Sequence, residues 1–159
     1  MSDLDYPDCI SELYQSEVLG ERAFLALRSV ARNERERYHF GTFLQLESET
    51  KVRLRPFLQK YDLELAETFD EEQIAGFVSF YTDNSWEGFL AAIRPLIEQF
   101  LQRFCAIAEL GPPEDRATLQ SMVTHEQSFL HWIDKEELAG EEGALDAALS
   151  QLHYPFPAS

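Results

Sequence analysis

Acidic side chains lie at positions where an amphipathic helix needs hydrophobic ones. At 100° of rotation per residue, Glu17 and Glu21 fall inside the apolar arc of the first helical segment, Glu47 inside that of the second, and Glu126 inside that of the last. A carboxylate removed from water must be protonated, paired with a cation or bound to a metal, because an isolated buried charge is prohibitively costly. Since three segments share this placement, the sequence predicts one common polar site inside a helical protein.

The composition favours one packed domain, residues 1–159, and the charge limits its partners. The hydrophobic fraction of 45% and the aromatic fraction of 13% argue against disorder. A net charge of −16 disfavours binding to nucleic acid and to anionic membranes, which both repel such a chain. We find neither a secretory signal nor an apolar run long enough to span a bilayer, and Cys9 and Cys105 form no CxxC pattern. We therefore expect a cytoplasmic protein.

Helical periodicity dominates the chain, and cap and stop signals divide it into segments. Gly111 followed by two prolines is a strong helix stop, and Pro56 is expected to kink the helix that contains it. Four long amphipathic helices joined by short connections pack most simply as an antiparallel bundle. The predicted long helices are 8–32, 34–60, 85–110 and 114–139, with a short helix at 71–82 before the third long one, a final turn or short helix at 144–152 and an extended tail at 153–159.

Three motifs resemble the metal-binding helices of the ferritin-like family of carboxylate-bridged di-metal proteins. They are Gly-Glu-Arg-Ala-Phe at 20–24, Leu-Glu-Ser-Glu-Thr-Lys at 46–51 and His-Glu-Gln-Ser-Phe-Leu at 125–130. In that family two helices each give a glutamate and the other two each give a Glu-x-x-His pair. The resemblance implies an all-α, ferritin-like four-helix bundle. Its candidate metal ligands here are Glu17, Glu21, Glu47, Glu126 and His125.

The ligand set departs from the family pattern at both histidine positions. Thr50 stands three residues after Glu47, and Phe129 stands three residues after Glu126. The third long helix has no acid on its apolar arc. Two cations fall on core arcs instead: Lys51 one turn from Glu47, and Arg28 two turns from Glu21. We expect these cations to act as ion-pair partners of the core carboxylates.

Two functions fit this pattern. The first is a ferritin-like binding or assembly protein with a degenerate, ion-paired carboxylate site and no cofactor. The alternative is a non-heme iron or manganese oxidoreductase that uses the carboxylate-rich site on a small apolar substrate, because oxygen ligands suit these metals. The aromatic-rich third long helix could line an apolar ligand pocket or a dimer interface, and we expect a homodimer.

Overall fold

The computed structural model describes residues 5–138 and 142–158, and in this part of the chain the protein is all-α, which confirms the all-α part of the predicted fold class. A 3₁₀ turn at Pro113–Asp115 precedes the last long helix. The α-helices are α1 Tyr6–Ser29, α2 Glu34–Lys60, α3 Glu71–Thr82, α4 Trp86–Leu110, α5 Arg116–Glu137 and α6 Asp146–Leu149.

The helices begin where the sequence offers capping side chains. Asn33 accepts a hydrogen bond from the backbone N–H of Glu36, Asp70 from that of Glu72, and Ser85 from a backbone N–H one turn into α4. The helix α2 continues through Pro56 to Lys60. The predicted ends of the last long helix at residue 139 and of the tail at residue 159 lie outside the described residues, whereas α6 is shorter than the predicted segment.

The four long helices contact one another in a closed ring of pairs. The helix α1 packs along α2, α4 packs along α5, and contacts of α1 with α4 and of α2 with α5 complete the ring. The short helix α3 lies against α1 and α4, and α6 lies against α2 and α5. None of the described helices is long and apolar enough to cross a membrane.

The hydrophobic core has two parts with a polar layer between them. On α1 one part ends at Val18 and the other begins at Phe24; on α2 the break falls between Leu46 and Leu54. On α5 it falls between residues 123 and 129. Glu21, Glu47 and Glu126 lie in these breaks and Glu17 lies directly before the break on α1, so the four glutamates lie near one level of the helix assembly.

The carboxyl-terminal segment packs on α1 and α2. The backbone N–H groups of His153 and Tyr154 donate to the carboxylate of Glu49 at 2.7 and 3.1 Å. The ring of Phe156 lies under the guanidinium of Arg28, 5.2 Å from ring centroid to Cζ. The tail therefore packs against Arg28, and among the described residues Arg28 forms no ion pair with the core carboxylates that were its expected partners.

A buried aspartate joins the ends of three helices. Asp115 is 1% exposed and accepts hydrogen bonds from Tyr6, Tyr61 and Lys60, which stand at the start of α1 and the end of α2. Burial alone raises the pKa of Asp115, but these three hydrogen bonds offset that effect and hold it below its ordinary value. The ionised carboxylate therefore stabilises this end of the fold.

Replacing Asp115→Ala should lower the free energy of unfolding by about 2–4 kcal/mol, because it removes charge-assisted hydrogen bonds at a buried position. The folded-state pKa lies below the unfolded value, so this contribution is present above about pH 4 and is lost as the pH falls through the folded pKa. Urea unfolding at neutral and acid pH measures both effects. The exposed neighbour provides a control, Glu114→Ala, and a loss no larger than the control's would contradict the prediction.

Candidate functional site

Two glutamates and a histidine meet in the polar layer. Glu17 from α1, Glu47 from α2 and His125 from α5 are all buried, and one possible ligand atom from each lies within 4.8 Å of the other two. The Nε2 atom of His125 is 3.2 Å from Oε2 of Glu17 and 3.6 Å from Oε1 of Glu47. Despite this proximity, Glu17 Oε2 and His125 Nε2 are not aligned for a hydrogen bond and have none.

The imidazole of His125 is held by Thr50 and Phe129, the two residues at which the sequence departs from the ferritin-like pattern. Its Nδ1 atom hydrogen-bonds Oγ1 of Thr50 at 3.2 Å. The ring of Phe129 packs edge-on against it, with 5.3 Å between ring centroids. A hydrogen bond at Nδ1 fixes the orientation of the ring and leaves Nε2 facing the carboxylates, which is the arrangement of a supported histidine ligand.

Gly20 makes room for the carboxyl group of Glu47. A Cβ atom built on Gly20 would lie 2.5–2.7 Å from the carboxyl carbon and oxygens of Glu47, closer than real Cβ contacts allow. The missing side chain in the middle of α1 therefore lets Glu47 reach the polar layer from α2.

The protonation states follow from burial and from the neighbouring charges. Burial raises the pKa of Glu17, but the charge of His125 and a hydrogen bond with Glu47 outweigh it, so the pKa is lowered. Burial and the charge of Glu17 raise the pKa of Glu47 well above its ordinary value, and the same two causes raise that of Glu126. Without a cation, Glu17 is the ionised member of the cluster.

Lys51 is buried and ion-paired, but its partner is not Glu47 as expected. Its ammonium group lies 2.8 Å from Oε1 of Glu21 and 2.9 Å from Oε1 of Glu67. Glu67 belongs to the connection between α2 and α3 and also accepts from Tyr14 at 2.7 Å. The hydrogen bonds from Tyr14 and Lys51 lower the pKa of Glu67 to about 2. Lys51 therefore anchors this connection to the helices and does not neutralise the three-residue cluster.

Glu126 lies beside the cluster, and Glu21 lies at its edge. The side chain of Glu126 is 94% buried and lines a cavity that Glu17 and Glu47 also line. Glu21 is partly buried, and its carboxylate is taken up by Lys51 and by the hydroxyl of Ser48. Of the five candidate ligands, the structure brings together Glu17, Glu47 and His125; Glu126 is adjacent, and Glu21 is engaged elsewhere.

Helical periodicity alone missed three features of this site. It did not place His125 on the apolar arc of α5, whereas the side chain is fully buried. It gave no role to Thr50, although a hydroxyl one turn from Glu47 on the same face was a usable signal. It could not place Glu67, because a non-helical connection has no periodicity from which its direction can be inferred.

Comparison with known proteins gives no relative from which a role could be transferred: no protein-family model, curated protein or solved structure matches this chain. The functional argument therefore depends on the geometry of the polar layer.

Replacing Gly20→Ala should fail to give the stabilisation that this change brings in an unobstructed helix. Gly76 in α3 has no neighbour within 4 Å of a built Cβ, so Gly76→Ala should raise the free energy of unfolding by about 0.5–1 kcal/mol. The new Cβ in Gly20→Ala displaces the buried carboxyl of Glu47 and should cancel this gain. Chemical denaturation compares the two variants. In a Glu47→Ala background, where the carboxyl group is absent, Gly20→Ala should raise the free energy of unfolding as Gly76→Ala does. An equal gain at both glycines would contradict the placement of Glu47.

Replacing Lys51→Met should lower the free energy of unfolding by about 1–3 kcal/mol, since both partner carboxylates retain some access to water. Adding Glu21→Gln should recover part of the loss, whereas adding Glu47→Leu should act independently. Double-mutant cycles measure both coupling energies. A larger coupling of Lys51 with Glu47 than with Glu21 would restore the pairing expected from the sequence.

Proposed function

We propose that this chain is a ferritin-like four-helix-bundle protein whose polar layer binds one divalent iron or manganese ion through Glu17, Glu47 and His125. The observation that carries the proposal is the convergence of these three buried side chains, with one candidate ligand atom from each within 4.8 Å of the others. The closed ring of contacts among α1, α2, α5 and α4 supports the bundle.

The residues present fit a metal ion in three respects. Glu17 Oε2 and His125 Nε2 are buried without a hydrogen bond, which is costly unless another group satisfies them. Their separation of 3.2 Å suits two ligands of one ion, because ligand atoms bound at about 2.1 Å lie roughly 3–4 Å apart. Thr50 supports the histidine from behind, as residues next to metal-bound histidines commonly do.

The donor set favours iron or manganese. Two carboxylates and one imidazole form a hard, oxygen-rich site, whereas sites dominated by thiolate or imidazole suit zinc or copper. Either metal would supply one-electron redox chemistry when bound. An apolar cavity beside the cluster provides space for a small substrate, so oxidation of a small apolar molecule is the reaction class that this arrangement favours.

A second candidate function is a metal-free binding or assembly protein, as the first sequence-based hypothesis states. The specific observation in its favour is how the carboxyl groups are accommodated without metal: Glu17 lies beside His125, and burial and the charge of Glu17 raise the pKa values of Glu47 and Glu126, which favours their neutral forms. The replacement of both family histidines by Thr50 and Phe129 also favours it. A homodimer and a cytoplasmic location remain predictions under either candidate.

Anaerobic addition of manganese(II) or iron(II) should give saturable binding of about one ion per chain and should raise the melting temperature. At a free metal concentration one hundred times the dissociation constant, the free energy of unfolding should rise by about 2.7 kcal/mol. Calorimetric titration, thermal unfolding and elemental analysis measure this. Glu17→Gln and His125→Gln should each abolish the effect, because each removes a ligand.

The matched control is Glu21→Gln, which changes a carboxylate of the same helix that Lys51 already engages. It should bind the ion normally. A wild-type protein that takes up far less than one ion per chain and shows no thermal shift would favour the metal-free candidate, and equal losses in Glu21→Gln and Glu17→Gln would reject the assigned ligands.

A further inference from the structure

The cavity beside the polar layer has apolar walls and one acidic end. Its volume is about 80 Å³, and it is partly open to solvent. The walls come from three long helices and from α3, and they are mainly aromatic and aliphatic; they include Phe24, Phe77, Phe89, Ile93, Phe100 and Phe129. The acidic end is formed by Glu17, Glu47 and Glu126.

Glu126 is the carboxyl group at this end that lies outside the cluster of Glu17, Glu47 and His125. Within residues 5–138 and 142–158 it has no hydrogen bond or ion pair, and the residue is 94% buried. A largely buried carboxyl group without a protein partner must be satisfied by water or by a ligand group, and the cavity is where such a group can lie.

The dimensions of the cavity limit the ligand to a slender molecule. An apolar cavity of about 150 Å³ accepts benzene, so about 80 Å³ encloses a chain of roughly three or four carbon atoms. The phenyl rings and Ile93 provide only dispersion contacts and apolar burial, which suit an alkyl chain.

We propose that the cavity takes a small uncharged molecule with a short alkyl chain and a hydroxyl group, with the chain between the aromatic walls and the hydroxyl hydrogen-bonded to Glu126. That this molecule is a substrate rests on the proposed metal-dependent function. That the cavity binds it depends only on the cavity and on Glu126.

The charge of the site selects the hydroxyl. A ligand carboxylate would lie near the ionised Glu17, and this juxtaposition repels an anion or forces it to take up a proton. An ammonium group would lose its hydration in an apolar space, at high cost. A hydroxyl group both donates and accepts, so it can satisfy the carboxyl group of Glu126 in either protonation state.

The test compares 1-butanol with butyrate as probes of the whole, metal-free protein, by two-dimensional NMR titration. We expect 1-butanol to shift the resonances of cavity residues saturably, and butyrate to bind at least about tenfold more weakly. Ala23 is buried and lines the cavity, so Ala23→Leu should abolish butanol binding by filling the space. Ala26→Leu, on the same helix but outside the cavity lining, should leave it intact.

A second variant, Glu126→Leu, tests the hydroxyl contact. It should weaken butanol binding and reduce the preference for butanol over butyrate, because the hydroxyl loses its partner while Glu17 still disfavours the anion. Butyrate binding as tightly as butanol, unchanged butanol binding in Ala23→Leu, or no saturable site in the wild type would each overturn the inference.

Manganese titration of the same samples separates the two proposals. Metal uptake without butanol binding rejects this inference alone. Butanol binding without metal uptake rejects the proposed function and keeps the cavity as a ligand site.

Discussion

The burial of three carboxyl groups with a single imidazole is the constraint on which the rest of the structure depends. Glu17, Glu47 and Glu126 lie at the boundary of two hydrophobic core regions, where an unpaired charge is very unfavourable. None of the lysine and arginine ion pairs found in the described residues involves these three groups. The fold therefore has to lower the cost by protonation, by the charge of His125, or by a bound cation.

Two states lower this cost. In the first, ionised Glu17 lies beside the imidazole of His125, while burial and the charge of Glu17 raise the pKa values of Glu47 and Glu126 and favour their protonated forms. In the second, a divalent cation would be held by Glu17, Glu47 and His125, and the two carboxylates would balance its charge. Since ligands must be deprotonated before they bind, the exchange couples metal uptake to proton release. The same geometry thus supports both candidate functions, and the relative affinity for protons and metal decides between them.

The sequence was sufficient for the helices and for the existence of a polar layer. Asn33, Asp70 and Ser85 have the side chains that cap helices, and the Gly-Pro-Pro stop gave the end of α4, so the boundaries agree closely. The ferritin-like resemblance is a proposal about topology, supported by the ring of helix contacts. Acids on three apolar arcs predicted buried carboxylates because periodicity reports which face of a helix is inward.

The partners of those carboxylates could not be predicted from helical periodicity. It gives the direction of a side chain around its own helix, but neither the roll of that helix against its neighbours nor the position of a connecting segment. Lys51 lies one turn from Glu47 and yet pairs with Glu67, because the connection after α2 returns over α1. The carboxylate of Glu67 also accepts a hydrogen bond from Tyr14 and forms an ion pair with Arg55. The inward direction of Lys51 was correct, whereas its partner depended on the path of the connection.

The two departures from the family ligand pattern are structurally connected. A histidine at position 129 would enter the layer one turn later on α5, where Phe129 now stacks on Phe43 with 4.6 Å between ring centroids and extends the hydrophobic core. The imidazole is supplied four residues earlier by His125, and position 50 carries a hydroxyl that holds its Nδ1 atom. Thr50 and Phe129 therefore have a structural role of their own, because both contact the imidazole of His125. They hold the ring so that Nε2 lies near Glu17 and Glu47, and Gly20 leaves space for the carboxyl group of Glu47, so the three side chains converge without a steric obstacle.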